Sequence, residues 1–219
     1  MFTGCGTALV TPFRQDLSLD EEALRKLARR QVDAGINFLV PCGTTGESPT
    51  LSKAELRRVV EITVEEAHRG KIRVVAGAGG YNTADVIERA RDYEAMGADG
   101  ILSVSPYYNK PTQEGLYQHF KAVHDAVEIP IVIYNIPGRS AVDMSNATMA
   151  RLAKLPNIVG VKDATNDLAR VLRLRVEIGR DFAMMSGEDA TAVAYLAQGG
   201  DGCISVTANV APHLLAEMH

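Results

Sequence analysis

The spacing of apolar residues along the chain limits its fold more than any other feature. Eight short apolar runs, rich in β-branched residues, alternate with segments whose apolar residues recur at helical spacing, which predicts strands alternating with helices. The runs lie at residues 7–11, 37–40, 72–76, 100–104, 131–134, 158–162, 182–185 and 202–206. Such alternation is typical of parallel sheets, because each helix carries the chain back to the start of the next strand.

Two parallel architectures compete for this pattern. Eight strands at a spacing of roughly 25 residues fit a (β/α)₈ TIM barrel. A doubly wound open sheet would usually carry a Gly-x-Gly-x-x-Gly turn after its first strand, and residues 7–12 lack one. We therefore predict a single TIM barrel catalytic domain over residues 1–219.

Helix boundaries can also be read from the sequence. Ser18 with Glu21, and Ser52 with Glu55, have the spacing of capping boxes. Further N-cap candidates are Thr83, Thr112, Ser145 and Asn166. The glycines expected to end helices in the left-handed conformation are Gly35, Gly97 and Gly199.

Composition excludes several classes of protein. A net charge of −4 without a basic cluster argues against a nucleic-acid partner, and no apolar run is long enough to cross a membrane. Three widely separated cysteines, Cys5, Cys42 and Cys203, suggest buried thiols in a reducing compartment, so we expect a cytoplasmic protein. The histidines show no metal-ligand spacing, so we expect no metal.

Lys162 ends the sixth apolar run, and catalytic residues of TIM barrels lie at the carboxyl ends of the strands. Burial disfavours the charged ammonium and lowers its pKa, which leaves a free amine able to attack carbonyl groups. A lysine at this place could instead reach out to solvent or pair with Asp163. Tyr134 precedes Lys162 by 28 residues, about one β/α unit, so the two should end neighbouring strands.

Other polar residues are expected at the same end of the barrel. Thr44 and Thr45 follow the second strand, and Arg139 follows the fifth. An amine, a phenol, hydroxyls and a guanidinium together suit imine chemistry on a carbonyl compound that carries a carboxylate. The glycine–threonine segment could also be an ordinary polar turn, and Tyr108 could serve rim packing or an oligomer contact.

Four motifs resemble the dihydrodipicolinate synthase family of pyruvate-dependent class I aldolases and lyases, which also includes N-acetylneuraminate lyase. They are Gly-Thr-Thr-Gly-Glu-Ser at 43–48, Pro-Tyr-Tyr-Asn-Lys-Pro at 106–111, Tyr-Asn-Ile-Pro-Gly-Arg at 134–139 and Val-Lys-Asp-Ala-Thr at 161–165. The resemblance covers nearly the whole chain. It implies condensation of pyruvate with L-aspartate 4-semialdehyde to give 4-hydroxy-tetrahydrodipicolinate, without a cofactor.

The resemblance also implies roles for individual residues. Lys162 would form a Schiff base with pyruvate, and Tyr134 would move protons through Thr44 and through Tyr108 of a neighbouring subunit. Thr45 would hold the pyruvate carboxylate and Arg139 the carboxylate of the aldehyde. Two further positions, Gly187 and Ile204, match residues that line the pyruvate pocket.

The chain departs from the family in two respects. Family members continue into a C-terminal helical segment, whereas this chain stops at His219, so we expect a barrel truncated in its eighth helix. The family is tetrameric, and here we expect a homo-oligomer that could be reduced to a dimer or a monomer. At the site where lysine inhibits some members, Leu56 replaces a histidine and Lys53 adds positive charge, which predicts weak lysine inhibition.

Two alternative functions stay open. The chain could be another pyruvate aldolase of the same family that cleaves N-acetylneuraminate or a 2-keto-3-deoxy sugar acid. It could also be an inactive truncated barrel that binds a keto acid without turnover.

Overall fold

A computed structural model describes residues 2–219 and contains a closed barrel of eight parallel strands, which confirms the predicted fold. Each strand pairs with the next, and β1 closes the barrel on β8 through partners such as Cys5 and Cys203. The strands are β1 (Gly4–Ala8), β2 (Phe38–Val40), β3 (Arg73–Gly77), β4 (Gly100–Val104), β5 (Ile131–Asn135), β6 (Ile158–Asp163), β7 (Ala183–Ser186) and β8 (Gly202–Ser205).

Helices follow the strands around the outside of the barrel. They are α1 (Glu21–Asp33), α2 (Lys53–Arg69), α3 (Thr83–Ala95), α4 (Gln113–His124), α5 (Pro137–Ser140), α6 (Asn146–Leu152), α7 (Ala169–Ile178), α8 (Ala192–Ala197) and α9 (Pro212–Met218). The short α5 is a single turn between β5 and α6. Within residues 2–219, no helix combines the length and the apolar character that a membrane span requires.

The first strand lies three residues earlier than predicted. The barrel ladder uses Gly4–Ala8, and the apolar residues after it leave the ladder. The backbone N–H of Val10 donates to the side chain of Asn209 at 3.1 Å, so a loop side chain replaces the strand partner. The predicted strand reached into the β1–α1 connection because the prediction used apolar character alone.

Three of the six predicted N-caps are correct. The Ser52–Glu55 capping box is present, and Thr112 and Ser145 cap α4 and α6. Gly35, Gly97 and Gly199 have the expected left-handed backbone, with φ of 84°, 85° and 94°.

Three predicted caps are wrong, two of them because a nearby side chain makes the bond instead. Asp20, not Ser18, accepts from the Ala23 N–H at the start of α1, and Asn82, not Thr83, caps α3. Asn166 caps no helix, since it has a left-handed φ of 61° and α7 begins only at Ala169.

Two apolar clusters form the core, one inside the barrel and one between the strands and the helices. Alternate strand residues belong to different clusters: Val132 lies with the inner one, whereas Ile131 and Ile133 belong to the outer one. The three cysteines are buried as predicted, with their thiols free. Because strand side chains alternate, Tyr134 and Lys162 face the barrel interior, while the next residue in each strand faces the helices.

Candidate active site

Lys162 is the centre of the candidate site. Its side chain is 5 % exposed at the end of β6, and no carboxylate among residues 2–219 forms an ion pair with it. Burial lowers the pKa of Lys162 from 10.5 to about 8, an effect partly opposed by Cys203 and Asp189. Asp163 does not pair with it, because its carboxylate lies on the other face of the strand and accepts the Thr165 N–H at 2.9 Å. The lysine is therefore buried and unpaired.

Tyr134 lies beside this amine, as the sequence predicted. The two residues are direct partners in the β5–β6 ladder, and the Lys162 Nζ lies 4.2 Å from the centroid of the Tyr134 ring. Burial raises the pKa of the Tyr134 hydroxyl, although the positive charge of Arg139 opposes the effect. The phenol is thus protonated at neutral pH and can donate a proton.

Gly187 and Ile204 form part of the surroundings of Lys162. A β-carbon built on Gly187 would lie 3.2 Å from Lys162 Cε and 2.9 Å from the β-carbon of Ala164, which is closer than most real contacts. Ile204 is 1 % exposed and belongs to the inner cluster with Met185. Gly187 therefore leaves space beside Lys162, and Ile204 adds an apolar surface to the interior of the barrel.

Arg139 lies on the α5 turn immediately after β5, exposed to solvent. Its charge lowers the pKa of both Lys162 and Tyr134, which places the guanidinium within electrostatic reach of both groups. The Ser140 hydroxyl donates to the carbonyls of Ile136 and Val142, both at 2.9 Å, and so folds this turn. Arg139 can therefore present positive charge at the mouth of the barrel.

Thr44 and Thr45 lie in the turn after β2, at the same end of the barrel. The Gly43 carbonyl accepts the Gly46 N–H at 3.1 Å, and the Thr11 hydroxyl donates to the Gly46 carbonyl at 2.7 Å. Thr44 is exposed and Thr45 half-buried. Within the described residues neither hydroxyl is hydrogen-bonded to Tyr134, so the predicted proton relay remains a prediction.

Tyr108 does not join the site in this chain. Its side chain is 88 % exposed and its backbone is left-handed, with φ of 63°. Nearby, the rings of Tyr81 and Tyr107 meet edge to face with centroids 5.3 Å apart. A role for Tyr108 in a neighbouring subunit and a role in rim packing both stay open.

Two acidic residues near the amine were not predicted to act there. Glu188 and Asp189 follow β7, and both raise the pKa of Lys162 against the effect of burial. Asp189 also accepts the backbone N–H groups of Val206 and Thr207 at 3.0 and 2.9 Å, which joins the ends of β7 and β8. The position of Glu188 and Asp189 directly after a barrel strand was the sequence signal that could have placed them near Lys162. No three His, Cys, Asp or Glu residues between positions 2 and 219 cluster as metal ligands.

The chain is similar to a known protein family along its whole length. The model of the dihydrodipicolinate synthetase family matches residues 1–219. The chain belongs to this family. It is 62 % identical over 218 residues to the 4-hydroxy-tetrahydrodipicolinate synthase of Rhodospirillum centenum, covering 100 % of this chain and 74 % of that protein.

Solved structures agree with this assignment. Dihydrodipicolinate synthase from Aquifex aeolicus superposes with a TM-score of 0.95 at 44 % identity, covering 99 % of this chain and 73 % of that one. The enzyme from Acinetobacter baumannii, solved in complex with pyruvate, gives 0.96 at 46 % identity, with 99 % and 74 % covered. The chain therefore spans about three quarters of the length of these relatives.

Proposed function

We propose that this chain is a lysine Schiff-base lyase that condenses pyruvate with L-aspartate 4-semialdehyde to 4-hydroxy-tetrahydrodipicolinate, in the biosynthesis of diaminopimelate and lysine. The observation that carries the proposal is the buried, unpaired amine of Lys162 against the ring of Tyr134, in a chain 62 % identical to a synthase of that reaction. A lysine with a pKa of about 8 has about a tenth of its amine free at pH 7, against about three parts in ten thousand at its ordinary pKa.

The first half of the reaction activates pyruvate. The free amine of Lys162 attacks the C2 carbonyl, and the carbinolamine loses water to give an imine. Tyr134 donates the proton that leaves with this water, and removal of a proton from C3 then gives the enamine. In this proposal Thr45 holds the pyruvate carboxylate, while the absent side chain of Gly187 leaves room beside Lys162 Cε.

The second half forms the carbon–carbon bond and closes the ring. The enamine carbon attacks the aldehyde of L-aspartate 4-semialdehyde, whose carboxylate meets the positive charge of Arg139. The amine of this second substrate then attacks the imine carbon and displaces Lys162, so the nitrogen enters the ring and the enzyme amine is regenerated. No redox step is needed.

The remaining residues and properties belong to the same proposal. Thr44 and Tyr108 would relay protons to Tyr134, with Tyr108 supplied by a second copy, and Ile204 would line the pyruvate pocket. The exposure of Tyr108 supports its use by a neighbouring subunit, so we also propose a homo-oligomer. The buried free thiols of this chain support a cytoplasmic location.

Trapping of the imine tests the proposal directly. The protein is incubated with pyruvate and sodium borohydride, and its intact mass is measured beside a Lys162→Ala variant. A stable pyruvate-sized adduct on the native protein, lost in the variant, is expected. A folded sample without an adduct would disprove the Schiff-base mechanism and favour a barrel that only binds keto acids.

Substrate choice is a second experiment. Without borohydride, the native protein is given pyruvate together with L-aspartate 4-semialdehyde, and N-acetylneuraminate and 2-keto-3-deoxy sugar acids are tested separately for cleavage to pyruvate. We expect condensation with the semialdehyde only. Cleavage of a sugar acid with comparable kcat/KM would instead support the related aldolases of the family.

A further inference from the structure

We propose that Asn135, Asp143 and Arg170 are positioning residues that hold the Arg139 turn over the barrel mouth and thereby set the affinity for the aldehyde substrate. This inference rests on the proposed function, in which Arg139 binds the carboxylate of that substrate. We call these three residues the clasp. Asn135 is the last residue of β5, Asp143 lies in the segment between α5 and α6, and Arg170 lies in the first turn of α7.

The clasp begins one residue beyond the candidate catalytic pair. Asn135 follows Tyr134 and Asp163 follows Lys162, and the two are register partners at the ends of β5 and β6. Asn135 is 1 % exposed, and its backbone carbonyl accepts the Ala164 N–H at 2.9 Å. Because successive strand residues face opposite sides, the Asn135 side chain points away from the barrel interior that Tyr134 faces.

Asn135 closes the loop that contains Arg139. Its side-chain amide donates to Asp143 Oδ1 at 2.8 Å, and its side-chain oxygen accepts the Met144 N–H at 3.2 Å. Residues 136–142 therefore form a loop that begins directly after Asn135 and ends at two residues hydrogen-bonded to the Asn135 side chain. Arg139 lies in the middle of this closed loop, so its position depends on the bonds at the two ends.

Arg170 fixes the far end of the loop to helix α7. Its two terminal nitrogens bind the two oxygens of Asp143 at 2.8 and 2.7 Å, a bidentate arrangement that restricts orientation as well as distance. The guanidinium side chain is 11 % exposed, whereas that of Asp143 is 46 % exposed. A lysine here would keep the charge and lose the two-pronged geometry.

A matched ion pair elsewhere on the same helix provides the control. Arg175, in the last turn of α7, is 14 % exposed and pairs with Asp201, which is 22 % exposed. Asp201 precedes β8, at the opposite end of the barrel from the candidate site. Arg175→Lys therefore damages a comparable pair on the same helix without touching the Arg139 loop.

The experiment compares Asp143→Asn and Arg170→Lys with Arg175→Lys in the full chain. We expect both clasp variants to raise KM for L-aspartate 4-semialdehyde roughly tenfold, with KM for pyruvate and the borohydride adduct unchanged, because displacement of a binding group weakens one substrate only. Hydrogen exchange of the amides in residues 136–144 should be faster in the same two variants. Arg175→Lys should change neither measurement.

The outcomes separate this inference from the proposed function. Unchanged exchange in residues 136–144, or an equal rise of the semialdehyde KM in Arg175→Lys, would overturn the clasp. A clasp variant whose KM for pyruvate rises as much as that for the semialdehyde would also overturn it. Failure of the native protein to form the pyruvate adduct would disprove the proposed function, while the exchange experiment would still decide whether the clasp orders the loop.

Discussion

Gly187 leaves space beside the side chain of Lys162: a β-carbon built on this glycine would lie 3.2 Å from Lys162 Cε. The same carbon would lie 2.9 Å from the β-carbon of Ala164, so it could not move away without displacing backbone. The strand end after β7 is thus shaped to leave the lysine free to move. This movement is needed if the amine is to reach a carbonyl carbon and later be released.

Gly187→Ala should therefore slow adduct formation with pyruvate about tenfold or more, because a small misplacement of the nucleophile is costly. The measurement is the rate of borohydride-trapped adduct by intact mass. Gly80→Ala is the control, since its β-carbon would meet only Val86 Cγ2, at 3.4 Å. Equal rates in the two variants would show that the space beside Lys162 is not used.

The pKa of Lys162 predicts a specific pH dependence. The free amine is the reactive form, and burial lowers the pKa to about 8, so the initial rate of imine formation should rise tenfold per pH unit below 8 and level off above it. Trapping rates between pH 6 and 10 measure this midpoint. A rate that still rises about tenfold per pH unit between pH 9 and 10 would mean that burial does not lower the pKa of the amine in solution.

Charges around the amine should shift that midpoint in opposite directions. Arg139 lowers the pKa of Lys162 and Glu188 raises it. Arg139→Gln should therefore move the midpoint upward, and Glu188→Gln should move it downward, each keeping a polar side chain of similar length. Shifts of the same sign in both variants would contradict the electrostatic description of the site.

The barrel and the neighbouring positions of Tyr134 and Lys162 could be predicted from the sequence because both depend on local periodicity. Eight apolar runs give eight strands, and residue spacing places Tyr134 beside Lys162. Asp163 illustrates the limit of such reasoning. The sequence left open an ion pair between Asp163 and Lys162, whereas in the structure the Asp163 carboxylate lies on the other face of the strand.

Contacts between distant segments could not be predicted in the same way. The Asp143–Arg170 pair joins a loop to a helix 27 residues away, and nothing in the local sequence of either residue selects that partner. The same holds for the N-cap of α1, where Ser18 and Asp20 are both good caps and only the path of the chain decides for Asp20. The proposed role of Tyr108 involves a second copy of the chain, and the sequence of one copy does not define where that copy lies.

Inhibition by lysine should be weak or absent. At positions that match the lysine site of sensitive relatives, Leu56 is 7 % exposed and apolar, and the ammonium of Lys53 lies 3.0 Å from Glu88. Leu56 offers a cationic ligand no polar partner, and Lys53 already occupies the Glu88 carboxylate that such a ligand could otherwise bind. Steady-state rates with added lysine measure the effect, and inhibition at sub-millimolar lysine would contradict this prediction.

Lys162 should also reduce the stability of the fold that positions it. Below pH 8 the folded protein holds a buried ammonium, whereas the unfolded chain solvates it with a pKa near 10.5. Lys162→Met keeps the length of the side chain and removes the charge. At pH 7 it should raise the free energy of unfolding, by up to about 3 kcal/mol for a shift of this size.

The pH dependence of that gain gives the prediction its sign. Between pH 8 and 10.5 the unfolded chain binds more protons than the folded protein, so the native protein becomes more stable as pH rises and the advantage of Lys162→Met shrinks. Denaturant unfolding at pH 7 and pH 10 measures both values. Lys26→Met is the control, because the Lys26 side chain is 71 % exposed and its removal should change little at either pH. A Lys162→Met variant less stable than the native protein at pH 7 would mean that the amine contributes to the fold as well as to the chemistry.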